Sequence, residues 1–221
     1  MKKRSFLNNR NLIQSLILVG VGSFVTSFQA VASPKGLQGY VMHIQMTPAI
    51  CSIDKSNIKQ RKCLEGYSLT ITGLLPETPQ RDCTTSSSAK LSLIQTKVVA
   101  RVMPDENARM NLWRSIGGCV PMNASQYFRN IINKAQELKI PADLTGVENK
   151  TVQQSTLKNQ FYRLNPRLQK ESIQFNCMAS SRGKAVLTNI QVCYRVNGQY
   201  KQCGNSQASN CPNSFMIQGS Y

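Results

Sequence analysis

Side chains that could carry out chemistry are few in this chain of 221 residues. His43 is the only histidine, and it lies in the stretch GYVMHIQM, whose alternation is typical of a β-strand with Val41 and Gln45 on the same face as His43. Imidazole titrates near neutral pH and can act as a general base or a general acid. A reaction that needs both would require a second group, such as a lysine of lowered pKa. The sequence predicts a hydrogen-bonded strand histidine, with a catalytic role as the alternative.

The usual patterns of other enzymes do not occur. The sequence contains no GxSxG nucleophile elbow, no Gly-rich phosphate loop and no recognisable pair of catalytic carboxylates. A single histidine also disfavours a zinc site. We therefore expect neither a cofactor nor a bound metal.

Cysteines are the second reactive group. Their even number and wide spacing, without a CxxC motif, indicate disulfides in an exported protein. Eight cysteines allow 105 pairings, so the residues alone leave the connectivity open. They are Cys51, Cys63, Cys83, Cys119, Cys177, Cys193, Cys203 and Cys211.

The first 32 residues have the composition of a secretory signal. Four basic residues precede a mostly apolar run at 12–25, and Ala30-Val31-Ala32 provides small residues for cleavage. We expect cleavage after Ala32 and a single domain over 33–221, with an uncleaved amphipathic anchor as the alternative. No second apolar span follows, which predicts a periplasmic or secreted protein without a transmembrane span after cleavage.

The charge of the remaining chain is strongly positive. Four of the 27 basic residues lie in the predicted signal, which leaves 23 against ten acidic residues and a net charge of about +13. The densest basic run comprises Lys55, Lys59, Arg61 and Lys62. Such a surface attracts nucleic acid or an anionic membrane, although it could also serve only to keep the protein soluble.

Hydrophobic periodicity predicts an α+β domain. Strand patterns occur at 39–47, 68–72, 171–179, 185–196 and 214–217. Helical patterns occur between them, at 91–102, from a Ser125 cap to just before Pro141, and at 153–163. The polar segment 77–88 is predicted to be a loop.

Two stretches carry a family resemblance. SLTITGLLPE (68–77) and MNLWRSIGGC (110–119) resemble the two active-site signatures of the ribonuclease T-two family. Further similarities follow in the family's order, including TPAIC (47–51) at a strand end, ASQYF (124–128) in a helix and a cysteine-bearing hairpin at 175–193. KVVARVMPD (97–105) and the closing NCPNSFMIQGSY are most similar to the bacterial periplasmic ribonuclease I branch.

The resemblance implies an antiparallel sheet with flanking helices and metal-free RNA cleavage by two histidines, assisted by a Glu and a Lys. Those four positions hold Thr72, Ile116, Leu112 and Ser115, none of which exchanges a proton near pH 7. Residues that shape the turn and pack the helix are retained: Gly73, Leu74, Pro76, Trp113, Gly117 and Cys119. The implied disulfides are Cys51–Cys63, Cys83–Cys119, Cys177–Cys211 and Cys193–Cys203.

We therefore expect a pseudoenzyme of this family that binds RNA or another polyanion. Trp113 could stack on a base or pack in the core. As alternatives, Leu75, Leu112 and Ile116 could form an apolar patch for an envelope protein partner, or His43 could support residual endoribonuclease activity that leaves a 2′,3′-cyclic phosphate. The RNA-binding candidates are Lys55, Lys59, Arg61, Lys62, Trp113 and Arg114.

Overall fold

The computed structural model describes residues 36–220, so the predicted signal segment lies outside the described residues. The strands are β1 (Gly39–Met46), β2 (Leu69–Glu77), β3 (Lys150–Gln153), β4 (Ile173–Ala179), β5 (Ala185–Tyr194) and β6 (Ser214–Ile217). The α-helices are α1 (Thr47–Ile53), α2 (Arg61–Leu64), α3 (Leu93–Val99), α4 (Glu106–Ile116), α5 (Ala124–Glu137) and α6 (Gln154–Leu164). Within these residues no helix is long and apolar enough to cross a membrane.

The sheet runs in the order β2-β1-β5-β6-β3, and β4 also pairs with β5. Every pairing is antiparallel except a short parallel contact between β5 and β6 at Val186 and Met216. Because the helices occur mainly between the strand pairs in the chain, the predicted α+β fold is confirmed. The strand β2 extends through the predicted turn to Glu77, and the four-residue β3 had no clear alternation to predict it.

One strand prediction is wrong at its end. TPAIC, expected to end a strand, begins helix α1 directly after Met46. Pro48 occupies the first turn of this helix, where a missing N–H costs nothing and the fixed φ is already helical. The helix buries Ala49 and Cys51, which brings Cys51 within reach of Cys63.

Helix α5 begins two residues earlier than predicted. Its N-cap is Asn123, whose side chain accepts a hydrogen bond from the Gln126 N–H while the Gln126 side chain bonds back, a complete capping box. The predicted cap, Ser125, instead accepts a hydrogen bond from the Gln95 side chain of α3. This bond joins two helices that pack on the same side of the sheet as the core.

One face of β1 forms the centre of the core. Met42 and Met46 are fully buried there and belong to the same cluster as Phe128 and Ile131 of α5. The opposite face of β1, which carries His43 and Gln45, is only partly covered. The alternation of β1 therefore gives the strand one packed face and one partly exposed face, which carries His43 and Gln45.

The four disulfides join the cysteine pairs that the family resemblance implies. Cys51–Cys63 fastens the basic segment to α1, and Cys83–Cys119 fastens the 77–88 loop to the end of α4. No free cysteine remains in the part of the chain that the structure describes.

Candidate functional site

The first signature lies at an irregularity of the sheet. Along β1 and β2, His43 is opposite Gly73 and Ile44 is opposite Ile71, so Thr72 is the extra residue of a β-bulge. A bulge re-aims its side chain, and Thr72 is exposed. Its hydroxyl donates to the His43 carbonyl at 3.4 Å. The position that resembles a family histidine thus holds a hydroxyl, which does not ionise near pH 7.

The second signature lies on α4, and its apolar substitutions close the space above β2. A Cβ built on Gly73 would lie 3.1 Å from Leu112 Cδ1 and 3.2 Å from Leu75 Cδ2. Ile116 is 8% exposed, and the Ser115 hydroxyl donates to the Leu112 carbonyl at 2.8 Å. The surface over Gly73 is therefore an apolar contact and contains no proton donor.

Trp113 is a core residue, so the prediction that it could stack on a base is wrong. Its side chain is 1% exposed, and its ring lies 5.7 Å from the Tyr127 ring. The indole N–H faces the Ser87 carbonyl at 3.2 Å and its hydroxyl at 3.1 Å. Tyr127 in turn donates to the Leu74 carbonyl and accepts from the Leu74 N–H. The Tyr127 bonds hold β2 against α5, and the indole bond holds α4 against the Ser87 loop. Trp113 therefore has the packing role that was the other interpretation of its sequence position.

His43 lies in a cleft of about 510 Å³, which also contains Leu75 and Glu77. Its Nδ1 is 3.3 Å from Nδ2 of Asn189. Burial lowers the pKa of the imidazole, so the neutral form is favoured at neutral pH. The imidazole therefore has an amide, that of Asn189, as its neighbour.

Two amide side chains beside His43 were not predicted from the sequence. Residues Gln191 and Asn189 of β5 lie opposite His43 and Gln45 of β1, and hence on the same sheet face. The side-chain oxygens of Asn189 and Gln191 are buried and have no hydrogen-bond donor within the described residues. Alternation in the predicted β5 strand was the available signal, but the pairing register with β1 could not be read from it.

The basic run is brought to the edge of this face. Lys62 Nζ donates to Gln45 Oε1 at 2.6 Å, and burial lowers the pKa of Lys62. Lys62 also lines a smaller cleft, of about 100 Å³, with Thr72 and Asp105. The structure therefore brings one predicted binding lysine beside Thr72.

The other basic candidates have different surroundings. Lys55 and Lys59 are exposed on a 3₁₀-helix that spans Lys55–Lys59. Arg61 forms a 2.6 Å ion pair with Glu65, which partly neutralises it. Arg114 lines a separate cleft on α4 that shares no residue with the cleft of Lys62. The six candidates do not form one surface.

Across the described range 36–220, no group of three or more His, Cys, Asp or Glu side chains could hold a metal ion. The protein therefore offers a polar sheet face, one neutral histidine and a basic edge. These groups can bind a polyanion or a base through hydrogen bonds and charge. With one histidine in the chain, they do not include the two histidines that the resemblance implies for the family reaction.

Comparisons with known proteins identify the fold. No protein-family model matches the chain, and no curated protein matches it. Among solved structures, ribonuclease MC1 from bitter gourd seeds is 15% identical with a TM-score of 0.62, and the match covers 80% of this chain and 98% of that one. RNase NT in complex with 5′-AMP is 13% identical with a TM-score of 0.65, covering 84% and 99%. Human RNase T2 is 16% identical with a TM-score of 0.59, covering 83% and 100%. The chain therefore has the α+β fold of the ribonuclease T-two proteins, including its sheet and flanking helices.

Proposed function

We propose that this protein is an exported pseudoenzyme that binds single-stranded RNA, or a related polyanion, without cleaving it. The observation that carries the proposal is a ribonuclease fold with Thr72 and Ile116 at the positions that resemble the family's histidines, beside a basic segment held near the end of β1. The bond from Lys62 to Gln45 holds it there.

Loss of cleavage follows from the groups at the four family positions. Thr72 is exposed but cannot ionise near pH 7, and Leu112 and Ile116 have no proton to exchange. A general acid and a general base each contribute about 10²–10⁴-fold in rate. Their joint loss leaves positioning and charge alone, which support binding better than catalysis.

Binding is supported by charge and by the polar sheet face. The exposed Lys55 and Lys59 can contact phosphates, while His43, which lines the cleft of about 510 Å³, can bond to a base edge. The solved structures of the same fold include RNase NT with 5′-AMP and an RNase MC1 variant with 5′-UMP. Their bound nucleotides support the assignment of a nucleotide-containing ligand.

The apolar alternative has less support. An envelope protein would have to dock on Leu75, Leu112 and Ile116, but Ile116 is 8% exposed and Leu112 packs over Gly73. These side chains fill the former cleft, and most of their apolar surface is already buried. Closure of an unused pocket accounts for the substitutions.

Residual endoribonuclease activity is the second candidate, because one observation favours it. His43 and Lys62 flank Gln45, one on the same strand and one through a hydrogen bond, and burial lowers the pKa of both His43 and Lys62. A lysine of lowered pKa could act as the acid for a histidine base. This arrangement would leave a 2′,3′-cyclic phosphate.

The test uses the disulfide-bonded protein over 33–221, purified from a host without its own periplasmic ribonuclease. End-labelled single-stranded RNA is incubated with it in EDTA, and each sample is run on a native gel and on a denaturing gel. We expect shifted but intact RNA. Cleavage to cyclic phosphate that His43→Gln and Lys62→Met each abolish would replace the pseudoenzyme proposal with the second candidate. Intact RNA without a shift would refute RNA binding.

A further inference from the structure

Arg109, the fourth residue of α4, is a buried charge without a carboxylate partner within the described residues. Its side chain is 4% exposed, and its guanidinium donates to the Met103 carbonyl. Within residues 36–220 it takes part in no ion pair. Burial lowers the pKa of the guanidinium, and the charges of Glu106 and Asp105 act in the opposite direction. A guanidinium has five N–H donors, and buried charges in proteins are normally paired. The single carbonyl leaves most of its donors free for another acceptor.

Arg109 lines a cleft of about 530 Å³. The volume falls in the range of roughly 300–1,000 Å³ that is typical of small-molecule sites. One wall is the loop Ser86–Leu91, which is fixed to α4 because the Thr85 N–H donates to the Arg114 carbonyl at 2.9 Å and the Trp113 indole bonds to Ser87. The cleft is therefore preformed by backbone and core contacts.

The lining of the cleft combines two chemistries. Arg109, Arg114 and Lys90 give it positive charge, against a single acidic residue, Glu106. The rest of the lining is part polar, from Ser86–Ser88 and Thr96, and part apolar, and the apolar Leu93 is 83% exposed. The apolar lining consists of Ala89, Leu91, Leu93, Met110 and Phe128. A ligand that matches both parts has an anionic head and an apolar chain.

We propose that this cleft binds a monomeric anionic amphiphile, with its carboxylate or phosphate head at Arg109 and its chain along the apolar wall. A charge-assisted, bidentate bond to a planar guanidinium is the contact that such a head would make. The site is separate from the RNA surface, because this cleft and the clefts of His43 and Lys62 have no lining residue in common. Failure of either proposal therefore leaves the other intact.

Trp113 provides a readout for the test. It is the only tryptophan of the chain, and it bonds to Ser87 in the cleft wall. Decanoate, kept below micelle formation, is titrated into the disulfide-bonded protein while tryptophan fluorescence is followed. Acetate tests the head alone and 1-decanol tests the chain alone. We expect decanoate to bind about tenfold or more tightly than either, since a bond to a charged group and chain burial both contribute.

Variants locate the binding. Arg109→Gln should weaken decanoate binding about tenfold or more, and so should the surface double variant Lys90→Glu with Arg114→Glu. The double variant keeps the test valid if Arg109→Gln fails to fold, because both of its residues are exposed. The matched control is Lys97→Glu with Arg101→Glu, two exposed residues outside the lining, which should leave the affinity within about twofold.

Three outcomes would overturn the proposal. Equal affinity for decanoate and 1-decanol would show that the anionic head contributes nothing to binding. Equal affinity for decanoate and acetate would show the same of the apolar chain. The third outcome is that decanoate does not bind, while the protein and its Lys90→Glu, Arg114→Glu variant both cosediment with phosphatidylglycerol vesicles. The basic surface would then bind bilayers, and this cleft would not bind a monomeric amphiphile.

Discussion

Replacing Lys55 and Lys59 by glutamine tests the RNA surface most directly. Both lysines are exposed on one short 3₁₀-helix, and neither forms an ion pair within the described residues. Arg61, next to them, is held by Glu65. The double variant therefore removes two free charges and leaves the Arg61–Glu65 pair and the Cys51–Cys63 disulfide in place.

The expected magnitude follows from counterion release. For single-stranded nucleic acid, the logarithm of the affinity falls with the logarithm of salt concentration with a slope of about −0.7 for each phosphate contact. If Lys55 and Lys59 each contact a phosphate, their loss reduces the slope by about 1.4 and weakens binding about 25-fold at 0.1 M salt. The two numbers come from the same contacts and should change together.

Fluorescence anisotropy of a labelled single-stranded RNA, measured from low to high salt, gives both quantities. The matched control is Lys139→Gln with Lys184→Gln, two exposed lysines outside the basic segment. The control should change the affinity through net charge alone, and so by much less. The reasoning is refuted if both double variants lower the slope equally, because the basic segment would then be no more than part of a diffuse positive surface.

Three further predictions concern stability and pH. Replacing Cys177 and Cys211 by serine should lower the free energy of unfolding by about 4 kcal/mol, because this disulfide spans 34 residues, compared with about 3 kcal/mol for the disulfide that spans 10. Tyr127→Phe should cost about 1–3 kcal/mol, because it leaves the buried N–H and carbonyl of Leu74 without a partner. Burial lowers the pKa of His43 in the folded state, so the unfolded state binds more protons below pH 6.5. His43 should therefore contribute stability above that pH and lose it as the pH falls, and His43→Gln should reduce the acid destabilisation.

Denaturant unfolding measures all three. For the disulfide, equal losses from the long and the short loop would contradict the loop-entropy argument. For Tyr127, an unchanged midpoint would mean that water or relaxation satisfies Leu74. For His43, the wild type and the variant are compared at pH 7.5 and 5.5, and parallel losses would show that other groups cause the acid sensitivity.

The local elements were largely predictable from sequence. Alternation predicted β1, β5 and β6 within a few residues, because a strand with one packed face must repeat every second residue. The segment TPAIC was misassigned, because Pro48 is compatible with a strand end and with a first helical turn, and only the packing of Ala49 and Cys51 selects the helix. The disulfide pairing came from the family resemblance, since spacing alone leaves 105 possibilities.

The chemical prediction came from residue types alone. One histidine in the chain, with Thr72 and Ile116 at the positions that resemble the two family histidines, predicts the loss of the family's pair of proton-transfer groups. The composition also determined the positive charge that favours a polyanion. These conclusions depend on residue types, which need no coordinates.

The tertiary structure decided which side chains meet. Leu112 lies over Gly73, the Trp113 ring is buried on Tyr127, and Lys62 reaches Gln45, three contacts between segments far apart in the chain. The tertiary structure also decided the surroundings of Arg109, which in the sequence is only one of the chain's many basic residues. Its burial beside an open cleft depends on the loop that packs against α4. Periodicity describes one element at a time, whereas a site is formed by the packing of several elements, and that packing is set by the strand register and the core.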